Sequence, residues 1–255
     1  MLIDTHCHLN NDDLINDFEE IIKESKLNGV SKFIVIGWDK ESSFKAVELA
    51  HKNENVFATI GFHPSDIFGV SEEDFKETMD LLKDDKVVAL GEIGLDYYWE
   101  KDLDKRNLQK EWFKKQIKIA NSYGKPICIH NREAFEDTLK ILKETKPLFG
   151  GVMHCYSGSV EYLKEVLDLG LYIGLDGPVT YKNSITPKEV AKIVPIDRLL
   201  LETDCPYLTP HPYRGKINSP VYLHLIAEKI AELKEANVKY IEEETTKNAE
   251  RLFKI

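Results

Sequence analysis

Two histidines separated by one residue, His6 and His8, stand near the N-terminus, and His63, His130 and His154 each close a short apolar or β-branched run. Glu92 and Asp204 close two further runs of the same kind. Imidazole and carboxylate are donors for Zn²⁺, Mn²⁺ and, on the carboxylate side, Mg²⁺. His6, His8, His130 and His154 with Glu92 and Asp204 make a sufficient inventory for two divalent cations.

Side chains alternate along a strand, so His6 and His8 share one face and Cys7 takes the other. The same alternation groups Val88, Leu90 and Glu92, then Cys128 and His130, Val152 and His154, and finally Leu200, Glu202 and Asp204. We expect His6, His8 and Asp204 to hold one ion and His130 and His154 the other, with Glu92 bridging. The competing reading is a buried polar cluster without metal, in which titratable groups packed together and unpaired would be costly. Asp4 and Glu202 have the same parity one pleat deeper. They are expected to orient ligand imidazoles or bound water, or else to pair with a buried cation. Cys7, Cys155 and Cys205 are expected on the opposite face as small core residues. His51, His211 and His224 fall in helix or loop and are expected to be solvated.

Eight candidate strands carry these residues: Leu2–His8, Lys32–Ile36, Val56–Gly61, Val87–Glu92, Pro126–His130, Gly151–His154, Leu171–Leu175 and Leu199–Asp204. Helical patterns lie between them, at Leu14–Leu27, Ser42–His51, Glu72–Leu82, Lys105–Ser122, Glu133–Glu144, Val160–Leu167 and Pro187–Val194. Strands alternating with helices need crossover connections, hence a parallel sheet covered by helices. Eight units in 255 residues match a single-domain (β/α)₈ TIM barrel spanning 1–255. A doubly wound open sheet is the competing arrangement. The pattern Val221–Leu233 places Leu225, Ile226, Ile230 and Leu233 on one helical face for core packing. Two long connections, Leu95–Asn107 and the proline-rich Cys205–Pro220, follow strands on the face where barrel enzymes keep their chemistry. No GxGxxG or GxxxxGK[ST] segment occurs, so nicotinamide and P-loop readings have no support.

With 34 Lys+Arg against 44 Asp+Glu, the net charge is −10. That argues against a broad basic face gripping duplex nucleic acid. It leaves room for a phosphate substrate held by metal ions, which invert the local charge. The absence of a membrane-length apolar run, of a signal-peptide pattern and of paired CxxC spacing points to a soluble cytoplasmic protein.

The segments Asp4-Thr5-His6-Cys7-His8-Leu9, Gly61-Phe62-His63-Pro64, Gly91-Glu92-Ile93-Gly94-Leu95-Asp96-Tyr97-Tyr98, His130-Asn131-Arg132, His154-Cys155-Tyr156-Ser157-Gly158 and Glu202-Thr203-Asp204-Cys205-Pro206-Tyr207-Leu208 resemble, in order, those of the TatD family of metal-dependent deoxyribonucleases in the amidohydrolase superfamily. Arg214-Gly215-Lys216-Ile217-Asn218-Ser219-Pro220 continues the resemblance, although the family often has Glu where this chain has Ser219. The resemblance runs from the first strand to the last. It implies a divalent-metal-dependent hydrolase acting on DNA, with 3′→5′ exonuclease character on single-stranded 3′ ends, and it implies the ligand positions reached above by parity. Some superfamily relatives, such as phosphotriesterases and dihydroorotases, bridge their metals with a carboxylated lysine. The fourth strand here has no lysine in its last five residues, and Glu92 takes that place.

Within such a site Asp204 is the expected general base, binding metal through one oxygen and taking a proton with the other. His63, held by Pro64, is expected to contact the scissile phosphate or protonate the leaving group, the alternative being a turn-closing structural histidine. Arg214 and Arg132 are candidate phosphate ligands through their planar guanidinium forks; either could instead be a surface ion-pair residue. Tyr97, Tyr98 and Trp99 could stack unpaired bases or simply pack their loop. Two further readings remain: an amidohydrolase acting on a small cyclic amide, lactone or phosphotriester, and a metal-dependent binding protein with an inert site. No membrane or obligate protein partner is inferred.

Overall fold

Short runs rich in Val, Ile and Leu form the strands, and the amphipathic segments between them form the helices. The computed structural model describes all residues 1–255. Strands β1 (Leu2–Cys7), β2 (Val30–Ile36), β3 (Val56–Ile60), β4 (Val87–Asp96), β5 (Ile127–Arg132), β6 (Gly151–Met153), β7 (Tyr172–Leu175) and β8 (Leu199–Leu201) pair in sequence order. Every pairing is parallel. Helices α1 (Phe18–Leu27), α2 (Lys40–Lys52), α3 (Glu72–Asp80), α4 (Leu103–Tyr123), α5 (Phe135–Glu144), α6 (Val160–Asp168), α7 (Thr186–Ile193) and α8 (Leu223–Leu233) cover the sheet, and α9 (Val238–Phe253) follows. This is a (β/α)₈ TIM barrel.

The seam between β8 and β1 is closed by the last residue of β8 and the residues that follow it. Asp204 N–H donates to His6 O at 2.9 Å, His8 N–H donates to Cys205 O at 2.8 Å, and the Thr5 hydroxyl donates to Leu201 O at 3.0 Å. Closure therefore draws the first and last candidate ligands together.

The apolar residues divide into two layers. Ile3, Ile34, Ile36, Val88, Ala89, Cys128, Val152, Tyr172 and Leu200 fill the barrel interior. A larger set, including Phe33, Val35, Leu90, Ile129 and Leu201, packs the strands against the helices. Ala249, Leu252 and Phe253 of α9 join the interior set. Sequence reading does not anticipate α9; its buried face is diluted by charged residues, although Ile241, Thr245, Asn248, Leu252 and Phe253 share it.

Three further expectations are corrected. β4 runs four residues past Glu92, so the connection to α4 is shorter than Leu95–Asn107. Leu90 does not share a face with Val88: Val88 and Ala89 both enter the interior and Leu90 packs outward. Register shifts flank this region, between Ala58 and Thr59 on β3 and between Leu90 and Ile93 on β4, so simple alternation fails there. On α8 the buried stripe is Leu223, Ile226, Ala227, Ile230 and Ala231, while Leu225 and Leu233 are half-buried.

Local caps fix several helix starts at the ligand-bearing face. Asp39 caps α2 with a reciprocal capping box to Ser42, and Asp102 accepts from the N–H groups of Asp104 and Lys105 to open α4. Gly124 ends α4 in the left-handed region at φ 69°, which an L side chain rarely adopts.

Candidate metal centre

All six expected ligands converge at the carboxyl ends of the strands. Nε2 of His6 lies 3.3 Å from Nε2 of His8, 3.7 Å from Oε2 of Glu92 and 3.6 Å from Oδ1 of Asp204. Nε2 of His8 lies 3.2 Å from the same Asp204 oxygen. Oε1 of Glu92 lies 2.8 Å from Nδ1 of His130 and 3.1 Å from Nε2 of His154. Glu92 thus turns one oxygen to His6 and the other to His130 and His154. The rings of His6 and His154 stack at 3.8 Å between centroids, which joins the two groups.

These spacings fit divalent cations. With metal–nitrogen bonds of roughly 2.0–2.1 Å, the edge of a ligand tetrahedron is about 3.3–3.4 Å. The donor separations around His6, His8, Glu92 and Asp204 bracket that length. A second fit comes from proton accounting at His130. Its Nε2 lies 3.0 Å from Oδ2 of Asp96. If that nitrogen carries the ring proton, Nδ1 presents a lone pair to the Glu92 carboxylate. Two lone pairs at 2.8 Å require a proton or a cation between them.

Electrostatics follow from this crowding. Burial would raise the Glu92 carboxyl, but His154, His63 and His130 hold it well below the usual carboxylate range. Burial would lower His130 and His154, yet Asp96 and Glu92 raise the first, and Glu92 and Glu202 raise the second well above the usual imidazole range. His6 is pushed well below that range by burial and by facing His154. The cluster therefore holds mobile protons where divalent ions would compete with them.

His63 also reaches the cluster, with Nε2 at 3.8 Å from Oε1 of Glu92. Its Nδ1 accepts the Ser65 N–H at 3.1 Å. Burial and the facing His130 lower its pKa, against Glu92 and Asp66, whose Oδ2 lies 3.5 Å from Nδ1; a neutral ring that accepts the Ser65 N–H carries its proton on Nε2, toward Glu92. The same ring falls with Glu92 and His130 in a set of donors close enough together to hold a cation.

Supporting residues agree only in part with the parity reading. Oε1 of Glu202 stands 3.5 Å from Nδ1 of His154 without hydrogen-bonding it, and accepts the Cys155 N–H. Gly174 makes room for it, since a Cβ there would collide with the Glu202 carboxylate. Asp4 touches no imidazole ring: it accepts from Thr203 N–H at 3.0 Å, from the Thr203 hydroxyl at 2.6 Å and from His6 N–H at 3.3 Å. It ties β1 to the end of β8. Cys7 and Cys205 are buried core residues as expected, but Cys155 is not turned away. Its backbone is left-handed at φ 43°, and its sulfur lies with the carboxylates of Asp176 and Asp204.

Arg132 and Arg214 are both exposed, and their contacts are with aromatic rings and not with the ligand cluster. The Arg132 guanidinium lies 3.8 Å over Tyr98 and 5.7 Å from Trp99, and that of Arg214 lies 4.2 Å over Tyr181. Tyr98 and Trp99 remain open to solvent. Tyr97 is committed to packing, its hydroxyl donating to Asp137 at 2.6 Å beneath the Arg106 guanidinium. His51 pairs with Asp84 at 2.9 Å on the surface, His211 is exposed, and His224 bonds within its own turn to Val221 O at 2.9 Å.

Sequence reasoning missed Asp96, Trp38 and Asp176. Asp96 backs His130 and is itself held by the N–H groups of Tyr98 and Trp99, at 3.0 and 2.9 Å. It shares parity with Glu92, and extending β4 by four residues would have revealed it. Trp38 follows the interior residues Ile34 and Ile36 by parity and meets the His8 ring at 5.1 Å. Asp176 directly follows β7. No helix is long and apolar enough to cross a membrane.

Comparison with known proteins agrees with this architecture. The family model for TatD related DNase matches residues 3–254. The uncharacterized metal-dependent hydrolase YabD of Bacillus subtilis is 47% identical over 256 residues, covering 100% of both chains. The uncharacterized metal-dependent hydrolase YcfH of Escherichia coli K12 is 37% identical over 261 residues, covering 100% of this chain and 96% of the relative. The crystal structure of YjjV, a TatD homolog from Escherichia coli K12, superposes with a TM-score of 0.94 at 29% identity, covering 100% of this chain and 98% of that one.

Proposed function

The chain belongs to the TatD related DNase family, and from that premise we propose that it is a hydrolase that cleaves DNA phosphodiester bonds from single-stranded 3′ ends with two divalent cations. The observation that carries this reading is Glu92, whose two carboxylate oxygens face different imidazole groups. That arrangement suits a bridge. His6, His8 and Asp204 would hold one ion and His130 and His154 the other, with Glu92 between them. Zn²⁺, Mn²⁺ and Mg²⁺ all suit parts of this donor set.

Bound there, the cations would lower the pKa of water and neutralise charge on the phosphoryl oxygens. Asp204 then serves as general base. One oxygen stands at 3.2 Å from His8, which leaves the other free to take the proton of the attacking water. His63, with its proton on Nε2, donates that proton to the departing 3′ alkoxide or holds a phosphoryl oxygen. Asp96 keeps His130 oriented through its hydrogen bond, and Glu202 adds negative charge beside His154. Arg132 with Tyr98 and Trp99 forms an exposed cation and aromatic ledge beside β5, able to hold a phosphate and an unpaired base. Arg214, on Tyr181, offers a second phosphate fork.

The test is digestion of end-labelled single- and double-stranded oligonucleotides by metal-supplemented enzyme, with Asp204→Asn as control. Mononucleotides released from 3′ ends of single strands, lost in the variant while metal content is kept, are the expected result. Turnover of small cyclic amides, lactones or phosphotriesters in place of DNA would overturn the substrate assignment. Near-normal rates in Asp204→Asn would overturn the base.

A further inference from the structure

Outside the two groups joined by Glu92, one further set of donors converges on the barrel mouth. Cys155 follows β6, Asp176 follows β7, and Asp204 lies three residues past β8. The thiol and the two carboxylates place their ligand atoms within 4.8 Å of one another. Cys155 and Asp204 both have left-handed backbones, φ 43° and 55°, which distinguishes them from residues continuing a strand. Asp176 is 4% exposed, and its Oδ2 is buried with no hydrogen-bond partner. A buried carboxylate oxygen left unpaired is costly unless something positive or protic meets it.

We propose that Cys155, Asp176 and Asp204 form a third cation site, selective for a thiophilic divalent ion such as Zn²⁺, whose occupancy inhibits the hydrolase by engaging the Asp204 carboxylate. A thiolate with two carboxylates suits Zn²⁺, whereas Mg²⁺ prefers oxygen alone and binds thiolate poorly. Binding breaks the Cys155 S–H bond, forms the sulfur–metal bond and releases the proton to solvent. None of His6, His8, Glu92, His130 or His154 belongs to this set; only Asp204 is shared. One Asp204 oxygen faces His8, so the third ion would take the other, the oxygen assigned to proton transfer. The inhibitory half of the inference rests on that base role; the binding half does not. The competing explanation is a protonated Asp176 that shares its hydrogen with Cys155 and attracts no ion.

The experiment begins with protein freed of metal by chelator and titrated with Co²⁺, whose bond to thiolate gives a near-ultraviolet charge-transfer band. Zn²⁺ equivalents are counted in parallel by equilibrium dialysis with elemental analysis. Wild-type protein should show the band and one Zn²⁺ more than Cys155→Ser, which should lose the band. Asp176→Asn should keep the sulfur but weaken the additional ion by at least about tenfold. Circular dichroism and melting establish that each variant is folded; if Cys155→Ser is not, Asp176→Asn carries the test. In Mg²⁺-supported digestion, rising Zn²⁺ should slow the wild type at lower concentration than Cys155→Ser, whose remaining response reports Zn²⁺ at the histidine-rich groups; equal sensitivity of the two overturns the inhibitory half. A wild type without the band, or a band that persists in Cys155→Ser, overturns the site. A band without Zn²⁺ inhibition overturns the inhibitory half. The band is read without any substrate, so an enzyme inactive on DNA would sink the proposed function and leave this site standing.

Discussion

Nδ1 of His130 lies 2.8 Å from Oε1 of Glu92, closer than any other imidazole nitrogen approaches that carboxylate. The opposite ring nitrogen is engaged by Asp96 at 3.0 Å. His130 therefore spans two carboxylates, and the one shared with His154 is the link between the two ligand groups. Replacing Glu92 by Gln keeps the volume and removes the charge. We expect bound divalent metal to fall by at least one equivalent, with turnover reduced at least about a hundredfold. Elemental analysis after dialysis and a single-turnover assay check both. In the metal-free variant, His130 and His154 should titrate at lower pH by NMR, because Glu92 helps to raise both.

Metal affinity should fall as pH falls. The folded metal-free protein holds protons on His130 and His154 at pH values above the ordinary imidazole range, and a cation must displace them. Calorimetric titration with Zn²⁺ in buffers of different ionisation enthalpy should report net proton release at neutral pH. Affinity independent of pH between 6 and 8, on the order of the window where imidazoles titrate, would contradict this.

His63 and Arg132 should separate chemistry from binding. His63→Ala is expected to keep the wild-type metal content and lose about 10²–10³ in kcat, the range for a lost proton donor. Arg132→Ala is expected to raise KM for single strands several-fold with kcat and metal content little changed, because it removes a stacked cation beside Tyr98. Loss of metal in His63→Ala would reassign that ring as a ligand.

Asp4 predicts a pH-dependent stability in the metal-free protein. Burial pushes its carboxyl up to about 7 from an ordinary 3.8, against the opposing hydrogen bonds of Thr203. A folded pKa above the unfolded one means that the native state holds the proton more tightly. Its contribution is complete below the unfolded pKa and is lost as pH rises toward 7. A shift of roughly three units corresponds to at most about 4 kcal/mol. Asp4→Asn removes that slope, so its stability relative to wild type should improve from pH 5 to pH 8 in urea unfolding. A difference that is flat with pH would show that Asp4 is not the titrating group.

The barrel and the convergence of His6, His8, Glu92, His130, His154 and Asp204 were legible in the chain because both rest on local rules. Strand and helix periods recur eight times, and each candidate ligand lies near the carboxyl end of a strand, which parallel topology delivers to one face. Alternation failed wherever the backbone departed from a regular strand. Register shifts around β4 turned Leu90 outward while Glu92 still reached the mouth. A left-handed residue at Cys155 brought a sulfur expected among the helices to the side of Asp176 and Asp204. Asp4 bonds to Thr203, 199 positions away, and α9 plugs the barrel floor with Leu252 and Phe253. What the amino-acid order determined alone was the set of donors and the end of the barrel at which they gather. Tertiary structure decided which oxygen meets which nitrogen, because closing the β8–β1 seam and the non-strand dihedrals beyond it depend on contacts that no local period encodes.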